Sequence, residues 1–235
     1  MKKFIVEDNF LELFDNAQLG VVVCRGIDNT KKADKLYEEL LLKGEELALK
    51  KINRDEFNQT PVVKLWREAY KKFRAEKGNR ASIENLLKRV HKGNHIGSIN
   101  PLVDIYNYIS LKYGLPCGGE DIDEMEGNIC LTRAVGEEEF LPLGSEKNKP
   151  PREGEVVYKD DEGIICRCWN WREADRTKLT EDTRNAFLCI ELIDDSRMDD
   201  LKEALAELGS LVKQHLGGDY RIEVLNKSNR QIDIE

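Results

Sequence analysis

The sequence predicts an α+β protein, because segments with helical periodicity come first along the chain and a run of strands follows. Apolar residues recur at helical spacing up to Gly114, and the period changes from about 3.6 to 2 beyond that glycine. No internal repeat and no linker-like segment interrupts the order. We therefore expect residues 1–235 to form a single domain.

The first predicted element is a buried strand at residues 18–25, a β-branched run that lies between glycines. Residues 30–52 then have helical composition, and Gly44 is expected to break that helix. The next helix begins at Pro61, with Thr60 as its cap.

Two further helices precede the strands. Ser82 opens one helix and Gly93 is placed to end it. Asn100-Pro101 opens the other, which closes at Gly114 and Pro116.

Strands are predicted in the second half of the chain because apolar and polar residues alternate there. They cover residues 128–134, 139–143, 155–159, 163–170 and 185–193. A Pro-rich loop is expected at 144–154, an amphipathic helix from Met198 to Gly217-Gly218, and two short strands at 220–225 and 231–234.

Charge is distributed unevenly along the chain. The formal net charge is −8, yet residues 64–92 hold ten basic and three acidic residues, a local balance of +7. A basic stripe on an acidic body can steer a polyanion to one face, although two helices with solvated lysines would look the same. The candidate nucleic-acid contacts are Lys71, Lys72, Arg74, Lys88 and Arg89. The acidic total argues against a general DNA coater.

Apolar runs are too short to span a bilayer, and no signal-peptide core follows Met1, so we expect a cytoplasmic protein. The six cysteines mostly lie in apolar stretches and are expected to be structural thiols. We expect neither a metal nor another cofactor. Phosphate-binding glycine loops and a G-x-S-x-G elbow are absent from the sequence.

The most unusual stretch is a polar loop between two apolar strands, WNWREADRTKLTEDTRN at residues 169–185. Rigid scaffolds place binding groups on such loops. A structural turn, in which the threonines and Asp182 satisfy backbone groups, is an equal alternative on physical grounds.

Three ordered blocks resemble one protein family. They read NPLVDIYNYISLKYGLPCGGEDID at 100–123, EGNICLTRAVGEEEFLPLG at 126–144 and GIICRCWNWREADRTKLTEDTRNAFLCIE at 163–191. The order of capped helix, acidic turn, strand pair, polar loop and T-x-x-T turn is similar to that of the B3/B4 editing domain of the phenylalanyl-tRNA synthetase β subunit. The resemblance is best over about residues 100–194, and it suggests a free-standing version of that domain.

The resemblance implies a β-sandwich core with flanking helices and a pocket that hydrolyses mischarged aminoacyl-tRNA. The implied partner is tRNA, with a synthetase as a possible second partner, and no membrane or DNA is implied. Nothing resembles a synthetase catalytic core. Where the family commonly has a histidine, this chain has Gly118, so the identity of the amino acid stays open.

The resemblance and the residue types together suggest a site. Catalytic candidates near the ester are Asn170, Arg172, Asp175 and Thr177, with Asp175 holding Arg172 or the substrate ammonium. Candidates for the amino-acid pocket are Asn107, Gly118, Gly119, Glu120, Arg133 and Glu191. Cys189 is an alternative to Glu191, because the two face the same way on a strand.

Two other functions stay open at this point. One is an RNA-binding module without chemistry, which would use the basic helices and exposed parts of Trp169 and Trp171. The other is a sensor that binds a free amino acid in the same pocket.

Overall fold

Two β-sheets form the core of the protein. The structure is a computed structural model that describes residues 1–30 and 35–235. The strands are β1 Lys3–Val6, β2 Gln18–Arg25, β3 Cys117–Asp121, β4 Ile129–Arg133, β5 Val156–Lys159, β6 Ile164–Arg167, β7 Arg172–Glu173, β8 Ala186–Leu192, β9 Asp219–Leu225 and β10 Gln231–Asp233. One sheet has the order β10-β1-β4-β5-β6-β7, and the other has the order β3-β8-β2-β9.

The two sheets pack face to face. The Phe4 ring of β1 meets the Phe187 ring of β8 edge-on, with centroids 4.9 Å apart. The Tyr158 hydroxyl on β5 donates to Oε1 of Glu191 on β8 at 2.6 Å. These contacts cross from one sheet to the other, so the predicted α+β sandwich with flanking helices is confirmed.

Helices cover the outer face of the four-stranded sheet and one end of the sandwich. They are α1 Asp8–Leu11, α2 Lys35–Leu49, α3 Pro61–Ala69, α4 Ser82–His91, α5 Pro101–Tyr113 and α6 Met198–Leu216. Val22 and Cys24 of β2 pack in the cluster that holds α5 and α6 side chains, whereas Val21 and Val23 pack between the sheets. Burial on both faces explains why β2 is a continuous apolar run.

Several predicted element boundaries are confirmed. The helix at Pro61 begins as expected, although the Thr60 hydroxyl accepts from the backbone N–H of Asn53 at 3.0 Å and does not cap the helix. The Asn100 side chain accepts from the N–H of Val103 at 3.1 Å, and Gly114 ends α5 with φ of 66°.

The expected break at Gly44 was wrong, because Gly44 lies inside α2. An added Cβ there would meet Tyr108 and Leu111 of α5 at 3.3 Å. The glycine therefore serves the close approach of two helices. Residues 31–34 of the predicted 30–52 helix lie outside the described residues.

Two strand predictions also fail. Residues 139–143 form no strand and make one isolated bridge, between Pro142 and Ala174. A proline cannot donate to a ladder, which limits pairing at this position. The strand predicted for 163–170 ends at Arg167, since Cys168 and Trp169 adopt positive φ. Strands β1, β3 and β7 were not predicted.

Candidate functional site: a carboxylate-lined cavity between the sheets

A cavity of about 430 Å³, counting its open mouth, lies between the two sheets. Residues from both sheets line it, and they follow the strand register. Tyr158, Cys166 and Glu173 form a cross-strand row on the larger sheet. Gly118 and Cys189 form the facing pair on the smaller sheet. Strands β3 and β7 are the last strands of their sheets, so the cavity lies at one edge of the sandwich.

A strained turn after β6 builds one wall. Cys168 and Trp169 have φ of 46° and 63°, a conformation that side chains other than glycine rarely adopt. The turn places the indole of Trp169 against Phe10, Phe14 and Trp66, with centroids 4.5 to 5.0 Å away. A strained backbone of this kind is retained where the surrounding packing and hydrogen bonds hold it in place.

A buried ion pair supports this turn. The Arg167 guanidinium donates to both carboxylate oxygens of Glu155 at 2.8 Å, and the Cys168 N–H donates to Glu155 Oε1 at 2.9 Å. Glu155 is fully buried and Arg167 is 4 % exposed. The paired charges therefore hold the backbone at the point where the strand turns toward the cavity.

Asn170 emerges from the turn into a hydrogen-bond network. Its Oδ1 accepts from the N–H of Ser82 at 3.2 Å and lies 3.0 Å from the Tyr70 hydroxyl. Its Nδ2 donates to Oε2 of Glu191, whose Oε1 accepts from Tyr158. These contacts fix the amide orientation, so Asn170 has little rotational freedom.

Burial raises the pKa of the cavity carboxyls. The pKa of Glu191 rises to about 7, because burial outweighs the hydrogen bonds from Tyr158 and Asn170. Burial also raises the pKa of Glu173 to about 7. The pKa of Glu120 is well above its usual range, first because of burial and then because of the Glu173 charge. Glu191 and Glu173 can therefore exchange protons near neutral pH.

The thiols that line the cavity are not suited to act as nucleophiles. Burial raises the pKa of Cys117, Cys166 and Cys189 well above the usual value, so these thiols stay protonated. All six cysteines are free. Across residues 1–30 and 35–235, no group of His, Cys, Asp and Glu side chains could hold a metal ion.

Several of the residues singled out from the sequence meet at this cavity. Asn170, Gly118, Gly119, Glu120 and Glu191 all line it. Cys189 lines it too, on the same face of β8 as Glu191. The Thr177 hydroxyl donates to Oε2 of Glu120 at 2.6 Å and lies behind that carboxylate.

Four other candidates lie elsewhere. Arg172 is exposed and donates to the carbonyl oxygen of Leu143 at 3.4 Å, and Asp175 pairs with Lys178 at 2.9 Å instead of with Arg172. Asn107 is buried in α5 and does not line the cavity. Arg133 is exposed at the end of β4 and does not line the cavity.

The structure also shows groups that the sequence did not single out, namely Glu173, Tyr158, Ser82 and the ion pair behind Trp169. Strand alternation is the signal that could have found Glu173, because it lies four residues after Trp169 and directly opposite Cys166. Trp169 is fully buried, so the expected exposure of its ring for RNA stacking was wrong.

The five basic candidates Lys71, Lys72, Arg74, Lys88 and Arg89 are exposed. They lie on α4 and the segment after α3, next to the residues that reach the cavity. Tyr70 and Ser82, both within this basic segment, contact Asn170. The basic surface is thus connected directly to the cavity network. Among the described residues, no helix combines the length and apolar character needed to cross a membrane.

Comparison with known proteins places this architecture in a family. The sequence model of the B3/4 domain family matches residues 65–213, which is over half of the chain. The chain belongs to the B3/4 domain family. The residues that line the cavity and the five basic candidates all lie in this matched region.

Curated relatives are β subunits of phenylalanine–tRNA ligase. The subunit from Fusobacterium nucleatum is 26 % identical over 155 residues, which cover 56 % of this chain and 19 % of the subunit. The one from Ruegeria pomeroyi is 34 % identical over 125 residues, covering 53 % of this chain and 14 % of the subunit. The match thus spans less than a fifth of the length of these relatives.

Among solved structures, an N-terminal fragment of the phenylalanyl-tRNA synthetase β subunit from Pyrococcus horikoshii is similar over 97 % of this chain and 53 % of the fragment. Its sequence identity is 13 % and its TM-score is 0.44.

Proposed function

We propose that this B3/4 domain hydrolyses the ester bond of mischarged aminoacyl-tRNA in trans, with the amino acid held in the cavity between the sheets. The relatives are β subunits of phenylalanine–tRNA ligase, which supports a tRNA-related role for the family member described here. The observation that carries the proposal is the cavity itself, in which a fixed amide, Asn170, faces a carboxyl with a near-neutral pKa, Glu191.

The chemistry demands little of the protein. An aminoacyl ester is already activated, so its hydrolysis needs an oriented water and donors for the oxygen that becomes negative. Glu191 in its ionised form can accept a proton from the attacking water, since its pKa lies near 7. The hydroxide adds to the ester carbon, the bond from that carbon to the ribose oxygen of the tRNA breaks, and Glu191 returns its proton to the ribose oxygen.

The remaining candidates have roles around this centre. Asn170 orients Glu191 and the water, and Glu120, held by Thr177, borders the amino-acid part. Arg172 is exposed beside Glu173 on β7 and is suited to a phosphate at the tRNA end. The basic segment after α3 supplies the wider tRNA contact.

The test is hydrolysis of a panel of mischarged tRNAs by the purified protein. We expect release of the amino acid from one or a few of them, with a rate that falls by about 100-fold in Asn170→Ala, comparable to the loss of one oriented polar group. Asn58→Ala is the matched control, because Asn58 is exposed in the short turn Phe57–Gln59. Intact esters across the whole panel would contradict the proposal.

A sensor for a free amino acid is the alternative favoured by the same cavity, because an amide and carboxyl groups line one small space between the sheets. Salt separates the two functions. Binding of tRNA should weaken steeply as salt rises, whereas binding of a small zwitterion should hardly change.

A further inference from the structure

Glu173 is the one cavity carboxylate without a protein partner among the described residues. Glu191 accepts hydrogen bonds from Tyr158 and Asn170, and Glu120 accepts one from Thr177. No side chain or backbone group in residues 1–30 and 35–235 donates to the carboxylate of Glu173. Its Oε1 lies 3.6 Å from the position that a Cβ on Gly118 would occupy.

The side chains that line the cavity with Glu173 are acidic or neutral. The cavity lining holds three glutamates and no lysine, arginine or histidine. A ligand in the cavity would displace water from this half-buried carboxylate, which is costly unless a cation or a donor compensates it. The protein does not supply that cation within the cavity, so the ligand is the natural source.

A second, independent observation also points to a polar ligand. The indole N–H of Trp169 is fully buried and lines the same cavity, and it makes no hydrogen bond. It faces Glu191 and lowers the pKa of that carboxyl, but the distance and angle between them do not meet those of a hydrogen bond. The hydroxyl of Ser82, the other buried polar side-chain atom without a partner in the described chain, lines the cavity as well.

These groups give the cavity two chemically different parts. Donors without a partner lie at Trp169 and Ser82, and the Glu173 carboxylate, which accepts no hydrogen bond within the described residues, lies beside Gly118. An aminoacyl group has the matching pair, a carbonyl oxygen and an ammonium group. Buried polar groups are almost always paired, so the unpaired set defines what a bound ligand must offer.

We propose that Glu173 binds a primary ammonium group of the ligand in the space that Gly118 leaves open. This inference rests on the proposed function in taking an aminoacyl group as the ligand. The role of ammonium binding thereby moves from Asp175, which pairs with Lys178, to Glu173. Gly118 becomes a specificity residue, because any longer side chain there would occupy the space beside the carboxylate.

The ammonium group can be the α-amino group or an amine on the side chain. Four amides separate these sources: lysinamide with both amines, norleucinamide with the α-amine, Nα-acetyl-lysinamide with the side-chain amine, and Nα-acetyl-norleucinamide with neither. Their dissociation constants are measured by titration of the whole protein and of Glu173→Gln. Glu146→Gln is the control, since Glu146 is exposed.

We expect at least one amine-bearing amide to bind at least about tenfold more tightly than Nα-acetyl-norleucinamide, the usual scale for one charged hydrogen bond. That preference should vanish in Glu173→Gln and persist in Glu146→Gln. Equal binding of all four amides, no binding of any, or a preference that survives Glu173→Gln would overturn the inference.

Hydrolysis is measured separately, so the two proposals fail in different ways. Amine-dependent binding with no cleavage of any aminoacyl-tRNA would contradict the proposed hydrolysis but would still support the ammonium site at Glu173. A different result would contradict the ammonium site and still support the hydrolysis. In that result, the wild-type protein and Glu173→Gln would both cleave aminoacyl-tRNAs with a free amine and N-acetylated ones at equal rates.

Discussion

At the scale of one residue, burial determines the pH range in which the Glu191 carboxyl group loses its proton. It is 3 % exposed, and its ordinary pKa of 4.5 rises to about 7 even though Tyr158 and Asn170 donate to it. The folded protein therefore keeps a proton that the unfolded chain releases between pH 4.5 and 7. The contribution of Glu191 to the free energy of unfolding falls as the pH rises through that window.

Glu191→Gln should remove this pH dependence. At 1.36 kcal/mol per pKa unit, the linkage of Glu191 is worth on the order of 3 kcal/mol between pH 5 and pH 8. We expect Glu191→Gln to gain about that amount relative to the wild-type protein over the same interval, as measured by urea unfolding at both pH values. Glu146→Gln, at an exposed position, should track the wild type. An identical pH dependence in Glu191→Gln would contradict the raised pKa.

Residue identity alone did not separate cavity residues from surface residues in the loop after β6. Arg172 and Glu173 are neighbours on β7, and strand alternation turns one to solvent and the other to the cavity. The sequence showed that both were polar. Which of them faces inward depends on the left-handed turn at Cys168 and Trp169, for which the sequence carries no glycine signal.

At the scale of elements, the turn between β6 and β7 is the feature that places the site. Glu155 and Arg167 hold it through a buried ion pair and a bond to the backbone of Cys168. The neighbouring loop joins it, because the N–H of Leu143 donates to the carbonyl oxygen of Glu173 at 3.0 Å.

Glu155→Gln tests the importance of this pair. Removing the Glu155 charge leaves the charge of the buried Arg167 with only a 3.9 Å contact to the half-exposed Glu76, so we expect a loss of about 3–5 kcal/mol in the free energy of unfolding. Asp199→Asn is the control, because its pair with Lys202 is 95 % and 65 % exposed and should be worth less than about 1 kcal/mol. Equal, small losses in both variants would show that the turn does not depend on Glu155.

Periodicity predicted most helices and central strands, because those elements bury one continuous face or alternate strictly. It missed β3, whose Gly118-Gly119 pair has low strand propensity and is stabilised by its register with β8. The same register brings Gly118 and Glu120 to the cavity. Long-range pairing, which no local pattern contains, therefore determined both this missed strand and half of the site.

At the scale of the whole molecule, the basic segment from 64 to 92 contrasts with an acidic remainder of −15. This segment reaches the cavity through Tyr70 and Ser82. We propose that residues 1–235 act as one domain, because side chains from both sheets and from α3 and α4 share one core.

Neutralising Lys71, Lys72 and Arg74 should weaken the binding of tRNA whatever the sequence of that tRNA. Each phosphate contact that is lost should reduce the slope of log affinity against log salt by about one. The control replaces Lys43, Lys202 and Lys227, which are exposed and change the net charge equally. A slope that falls as much in the control would show that net charge, and not this surface, governs binding.

The most direct test of the central claim is to fill the cavity. The Cβ of a residue at position 118 would contact only Glu173, so Gly118→Phe is expected to fold with its ring in the cavity, and Gly97→Phe, where space is open, is its control. With an aminoacyl-tRNA that the wild-type protein cleaves, we predict that Gly118→Phe slows hydrolysis by at least about 100-fold while Gly97→Phe does not. Hydrolysis at the wild-type rate by a folded Gly118→Phe variant would contradict the claim that the ester is cleaved between the sheets.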